Sequence, residues 1–383
     1  MQVENRRVVM PEISAPRFWR FNRVRYRLAG GVCGACGERF LTPRLICPRC
    51  HRDLTEVSKH VFPPLALDDV REARSSDVAL TVVIPSYNAA HTIRTTLASV
   101  LAQEWKWDER FEVIVVDSSS DETPHIVAEE FPTVRLIHRE QQTDPGTARN
   151  LGIAHANGEV IACLDADCIA SPDWACRMMV AQRAGNQVVG GTVENGNPDH
   201  LIAWAGYLGE FREWLPVGEP RLVEHVPTCN ISYRRSIFAR FGGFPVKFYP
   251  QEDLLFHWWL AQHGVPIWFD PQIRVCHVHR ASWGAYVRHL ERIGRITALV
   301  LKLTGGEGAF LARSPVLALM AAPFLPMVKT IRTIEIFARQ QPLVLRTHSL
   351  ALLPFLAGLY VWAWGFVQGA WSPPLQVARP EAL

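Results

Sequence analysis

Three short apolar runs limit what this chain can fold into. Leu80–Pro85 (LTVVIP), Phe111–Val116 (FEVIVV) and Glu159–Leu164 (EVIACL) are nearly continuous in apolar residues and rich in Val and Ile. Strands of that kind are buried on both faces, as in a parallel sheet. Amphipathic segments lie between them. One places Ile93, Leu97, Val100 and Leu101 on a single helical face, and another runs from Pro124 to Phe131 with its proline in the first turn. A further strand is expected over Val134–Ile137, and a third helix from Gly146 to about Asn157. Alternation of strand and helix predicts an α/β fold of βαβ units, with a mostly parallel sheet and helices on both faces. Ligands of such sheets bind beyond the carboxyl ends of the strands. Pro85, Asp117 and Asp165 all stand at such ends.

The last of these ends continues as Asp165-Ala166-Asp167. Two carboxylates at i and i+2 can both reach one cation as the chain turns, and hard oxygen ligands suit Mg²⁺ or Mn²⁺, ions that pair with diphosphates. The plainer alternative is a solvated turn. The runs TVVIPSYNAAHTIRTTLASVLAQ, VIVVDSSSDET, GTARNLGIAHANGEVIACLDAD, TCNISYRRSIFARFGGFP and QEDLLFHWWLAQHG follow one another in this order. Together they resemble a family 2 glycosyltransferase of the GT-A fold, and the resemblance covers about residues 81–290.

The resemblance implies roles. Pro85, Tyr87 and Asp117 would line the nucleotide base pocket, with the Asp117 carboxylate accepting from a pyrimidine N–H, which favours a UDP-sugar among nucleoside diphosphate sugars. Arg149 would approach the base or the diphosphate, and Asp165 the ribose or sugar hydroxyls. Asp167, with Asp165 and His279, would hold the divalent metal. Asp253 would be the general base, and Glu252 and Trp268 would face the acceptor, a glycan or a lipid-linked glycan. The implied reaction is a single inverting displacement. Plainer readings stand beside these: Asp117 as a helix cap, Arg149 as a surface ion pair, Asp253 as a first-turn acid, His279 as a structural histidine and Trp268 as core. Many relatives carry a second carboxylate where this chain has Ser118; Asp121 either replaces it or caps the following helix. The alternative of another class is a catalytically silent scaffold that binds a nucleotide or glycan and recruits partners.

Four of the nine cysteines fall in one window, Cys33-Gly-Ala-Cys36 and Cys47-Pro-Arg-Cys50. Two such knuckles place four thiolates around a tetrahedral Zn²⁺ with no open position, which makes the metal structural. The surrounding sequence resembles a rubredoxin-like zinc ribbon. Residues 1–60 carry twelve Lys and Arg against five Asp and Glu. A protein partner is the expected use of that basic segment and nucleic acid an unlikely one, since the net charge of the whole chain is only +3. The odd cysteine count and the absence of an apolar run at the N-terminus predict a reducing compartment and no secretory signal.

Toward the C-terminus, Leu350–Trp371 is 22 residues without a charge, about 33 Å as a helix and enough to cross a bilayer. Ser314–Val328 is shorter and broken by Pro323 and Pro326, which suggests an in-plane or re-entrant element. KTIRTIEIFARQ between them is basic and amphipathic. The expected organisation is a zinc ribbon over 1–70, a glycosyltransferase domain over 78–290 and membrane-associated helices over 291–383. The catalytic part would face the cytoplasm at the inner (plasma) membrane, because Lys329, Arg332, Arg339 and Arg346 obey the positive-inside rule there.

Overall fold

A computed structural model describes residues 31–32, 39–40 and 77–373. The chain divides into two compact units, Met1–His60 and Val61–Leu383. In the first, β1 (Gly31–Val32) and β2 (Arg39–Phe40) pair antiparallel. Cys33, Cys36, Cys47 and Cys50 lie outside the described residues.

The second unit opens with the alternation read from the sequence: β3 (Val78–Ser86), α1 (Ile93–Leu101), β4 (Arg110–Asp117), α2 (Thr123–Glu130), β5 (Arg135–His138), α3 (Pro145–His155) and β6 (Val160–Leu164). Strands β5, β4, β3 and β6 lie side by side and all parallel. Successive residues serve opposite faces, as the two-residue repeat of a strand requires. Val82, Ile84, Val113 and Val115 join one apolar core with Ile93 and Leu97, while Val83, Ile114 and Val116 join the other with Ala148 and Ile153. Helix α3 rides directly on β3 at Gly152, where a Cβ would come within 2.4 Å of Val83 Cγ1.

Beyond β6 follow β7 (Cys168–Ala170), α4 (Trp174–Arg183), β8 (Val188–Asn195), α5 (Leu201–Glu210), β9 (Arg221–Val223), β10 (Asn230–Arg234), α6 (Arg235–Phe241), α7 (Glu252–Gln262) and β11 (Ile267–His277). The strand order is β5-β4-β3-β6-β10-β8-β11-β7, with β9 also on β11. Strand β10 enters antiparallel between β6 and β8, so the sheet is parallel in its first half and mixed in its second. Helices cover both faces, as expected.

The remaining helices are α8 (Trp283–Thr304), α9 (Ala309–Arg313), α10 (Pro315–Ala321), α11 (Leu325–Gln340), α12 (Pro342–Thr347) and α13 (Leu352–Trp371). They belong to the same compact unit as the sheet rather than to a separate region. Phe355 of α13 lies over Gly209 of α5, 3.3 Å from where a Cβ would be, and α13 packs along α8. The two run parallel at backbone distance: a Cβ on Gly294 would lie 2.0 Å from the Trp362 carbonyl, one on Gly365 2.1 Å from that of Glu291, and one on Gly369 2.2 Å from that of Arg295. Among the described residues one helix is long and apolar enough to cross a membrane, Ser349–Trp371, and half of its apolar window is buried inside the protein. Helices α10 and α11 meet at a bend of 57°.

Candidate functional site

The loop after β6 is fixed by its own backbone. The carbonyl of Asp165 accepts from Cys168 N at 3.0 Å and that of Asp167 from Val278 N at 2.8 Å. The carbonyl of Ala166 accepts from the buried Thr96 hydroxyl on α1 at 2.9 Å. With every carbonyl of the turn engaged, both carboxylates project from a rigid base, and each keeps about a third of its side chain in contact with solvent.

Pairing of β7 with β11 sets His277 opposite Cys168. Its Nε2 then stands 3.5 Å from Asp167 Oδ1, and Asp167, Cys168 and His277 form a cluster whose ligand atoms lie within 4.8 Å of one another. A carboxylate and an imidazole fit Mn²⁺ or Mg²⁺ completed by diphosphate oxygens. The Cys168 thiol fits less well, because burial pushes it far up and keeps it protonated. Of the two histidines read from the sequence, His277 is the one whose ring nitrogen lies in this cluster. His279 is buried against Tyr207 and Phe211, its ring 4.6 Å from that of His277, and burial holds it neutral.

Arg149 differs most from expectation. It is 3% exposed and bridges two carboxylates, Nη2 to Asp165 Oδ1 and Nη1 to Glu252 Oε1, each at 2.7 Å. Its guanidinium fastens the loop after β6 to the first turn of α7. Burial pushes the Glu252 carboxyl well above the usual carboxylate range, with Arg149 opposing and the adjacent Asp253 adding to the rise. Glu252 Oε2 has no hydrogen-bond partner among the described residues.

Asp253 is half-buried at the start of α7. Its Oδ2 accepts from Thr228 N at 3.2 Å and its Oδ1 from Leu254 N at 2.7 Å. Asp165, Asp167 and Asp253 all act on one buried group, the thiol of Cys229, which Cys168 hydrogen-bonds and which burial and these three charges push up overall. Two chain segments, the loop after β6 and the first turn of α7, thus bring their carboxylates within electrostatic reach of Cys229.

At the neighbouring strand ends, Asp117 is fully buried. It accepts from Ser119 N at 3.0 Å, from Ser119 Oγ at 2.5 Å and pairs with His138 Nδ1 at 2.8 Å. Asp121, just ahead of α2, accepts from Thr123 N and also from Ala90 N, so it ties the loops after β3 and β4 together. Tyr87 is exposed at their rim and Pro85 half-buried beneath it. Trp268 stands apart from the cluster: its β8 partner, Val189, is six residues before Asn195, the partner of His277, roughly 20 Å along a strand, and it packs against apolar core. Arg280 went unread in the sequence. It follows His279 and acts electrostatically on Tyr249, Glu210 and His289, and it has no carboxylate in ion-pair range among the described residues. The signal available was its position just past the β11 histidines.

The family description "Glycosyl transferase family 2" matches residues 81–242, and "ChsH2, rubredoxin-like zinc ribbon domain" matches 23–56. The chain is 27% identical over 223 residues to Glycosyltransferase AglE of Haloferax volcanii, covering 56% of this chain and 72% of that one. It is 42% identical over 128 residues to the succinoglycan biosynthesis protein ExoO of Rhizobium meliloti, covering 33% of this chain and 34% of that one. Against a mannosyltransferase of Pyrobaculum calidifontis solved with GDP-Man and Mn²⁺, the TM-score is 0.49 at 20% identity, over 79% of this chain and 91% of the other. Residues 81–242 thus match the family 2 glycosyltransferase model, and residues 23–56, ahead of them, match the rubredoxin-like zinc ribbon model.

Proposed function

We propose that the protein transfers a sugar from a nucleoside diphosphate donor to a hydroxyl of a membrane-proximal or lipid-linked glycan, with inversion at the anomeric carbon. The observation that carries this reading is the convergence of Asp165, Asp167 and Asp253 on Cys229, with Arg149 joining the two segments that bring them. Asp253 is the general base: it is held at the α7 N-terminus, keeps solvent contact, and takes the acceptor proton as the oxygen attacks. Asp165 receives hydroxyls of the donor. Asp167 and His277 would hold Mn²⁺ or Mg²⁺, which when bound stabilises charge on the departing diphosphate. Arg280 supplies a second positive charge on that side. Pro85 and Tyr87 border the base, and Asp117 shapes their loop through Ser119 and His138. Arg149 and Glu252 are positioning residues.

A UDP-sugar is the first donor to try, because a carboxylate such as that of Asp117 can accept from a pyrimidine N–H. The named activities of AglE and ExoO, a glycosyltransferase and a succinoglycan biosynthesis protein, favour a cell-envelope glycan as the product. The apolar C-terminal helices support attachment to the inner membrane with the donor site in the cytoplasm. The ribbon is read as a zinc-held contact for a protein partner. The test is hydrolysis of a panel of nucleotide sugars with Mn²⁺ or Mg²⁺, wild type against Asp167→Asn. Turnover of one donor that the substitution abolishes is expected; no turnover of any donor, with no effect of the substitution on nucleotide binding, would sink the proposal.

A further inference from the structure

Helices α10 to α13 turn a large apolar surface outward. Met320, Phe324, Val328, Ile331, Leu343 and Leu353 are each 62% to 69% exposed. Side chains of this size crowded on one surface mark an interaction site. Helix α13, long enough to span a bilayer, is not free to do so. Its Gln368 bonds Glu291 at 3.0 Å and Arg295 at 3.3 Å, and Lys302 Nζ donates to the carbonyls of Gly369, Ala370 and Ser372 at 2.7–2.9 Å. Glycines hold the two backbones in contact along their length. A crossing α13 would drag Glu291, Arg295 and Lys302 of α8 into hydrocarbon, where charges are costly.

We propose that this surface seats the protein in the plane of an anionic phospholipid leaflet, its apolar side chains between headgroups, without the chain crossing to the other side. Charge selects the occupant. Residues 309–373 hold five Lys and Arg against one acidic residue, Glu335. Arg313, Arg332, Arg339 and Arg346 are exposed around the apolar face, the arrangement of an in-plane helix on anionic lipid. Trp364 and Trp371 are more than half exposed at its border, 55% and 56%, as aromatic residues are at a headgroup boundary. The surface also leads to the site. Phe337 of α11 contacts Tyr207, Tyr207 contacts His279, and His279 contacts His277 beside Asp167. A leaflet beneath α11 therefore lies close behind the carboxylate cluster. The inference rests on the membrane association proposed above and is independent of the donor.

The test uses the full chain and preformed vesicles of phosphatidylglycerol with phosphatidylethanolamine, or of phosphatidylcholine alone, read by flotation. Binding to the anionic vesicles only, lowered by at least about tenfold in Met320→Glu/Ile331→Glu and weakened in about 0.5 M salt, is expected. Donor hydrolysis by the same variant reports that it is folded; if it is lost, Leu343→Glu replaces it. Topology is read separately with Glu104→Cys and Ser372→Cys, each labelled by an impermeant maleimide in inverted membrane vesicles against wild type. Labelling of both from the same side is expected. Labelling of position 372 only from the opposite side, equal binding by the charged variant, or no binding of wild type to either vesicle overturns the inference. Donor hydrolysis that survives any of these outcomes leaves the glycosyltransferase reading standing.

Discussion

Replacement of Arg149 by Met tests how the site is held together. The side chain is buried, and each of its two 2.7 Å bonds ends on a carboxylate. Met keeps much of the volume beside Phe244, whose ring centroid lies 5.9 Å from the guanidinium carbon, and removes only the charge. Loss of one partner from a buried ion pair costs about 3–5 kcal/mol, mostly through the charge left behind. Glu252 is the group left behind, and its carboxyl already sits above the usual range through burial. Without Arg149 it rises further. A carboxyl with a raised folded pKa contributes stability that is full below its unfolded pKa and is lost as pH rises through the folded value. The deficit of Arg149→Met relative to wild type is therefore small near pH 5, where Glu252 can protonate, and largest near pH 8. One proton accounts for up to about 1.4 kcal/mol per pH unit within that window. Urea unfolding of both proteins at the two pH values measures it. A deficit that does not change with pH, or one under about 1 kcal/mol at pH 8, refutes the argument that this guanidinium offsets buried negative charge. Arg149→Lys, which keeps the charge but cannot reach both carboxylates in a fork, should fall between wild type and Met.

Three further outcomes are expected. Asp253→Asn lowers the rate of transfer by about 10²–10⁴ while calorimetric donor affinity is unchanged; an equal loss of affinity would place Asp253 in the donor pocket instead. His277→Ala weakens nucleotide-dependent Mn²⁺ binding, followed by electron paramagnetic resonance, at least about tenfold, and His279→Ala does so much less; the reverse order would return the metal role to His279. Elemental analysis of the full chain finds one zinc, absent from Cys33→Ser/Cys36→Ser; a double variant that retains its zinc would exclude the knuckle as the metal site.

The half of the sheet nearest the N-terminus was legible because each strand is buried on both faces and so appears as an uninterrupted apolar run. The other half was not. Strand β10, Asn230–Arg234, carries polar residues that face buried partners: Asn230 Nδ2 donates to the carbonyls of Thr192 and Ile273, and Ser232 meets Gln182. No local pattern announces those contacts or the antiparallel insertion. The acidic residues were legible for a similar reason, since each stands at or beside the boundary of an element that the sequence marks. Their neighbours were not. Arg149 finds partners 16 and 103 residues away, and a helix position that looks outward in isolation proves to be the joint between two loops. For the histidines the deciding fact is register. Alternation places His277 and His279 on one side, but only the pairing of His277 with Cys168 brings one of them to Asp167.

The C-terminal helix shows where composition stops being sufficient. Gly358, Gly365 and Gly369 are compatible with a membrane span, since small residues let helices approach closely in lipid. Here the same residues form the contact with α8, and a side chain at any of the three would collide with Tyr286, Glu291 or Arg295. Both settings select small residues on one helical face. What separates them is the polarity of the partner. Helix α8 presents Glu291, Arg295 and Lys302 to α13 and carries Arg288 on its exposed side. A helix pair of that character fits the in-plane seating proposed above, in which the exposed apolar side chains of α10 and α11 face lipid and these charges face water. The apolar composition that suggests a crossing is divided between a contact with α8 and the exposed apolar side chains of α10 and α11.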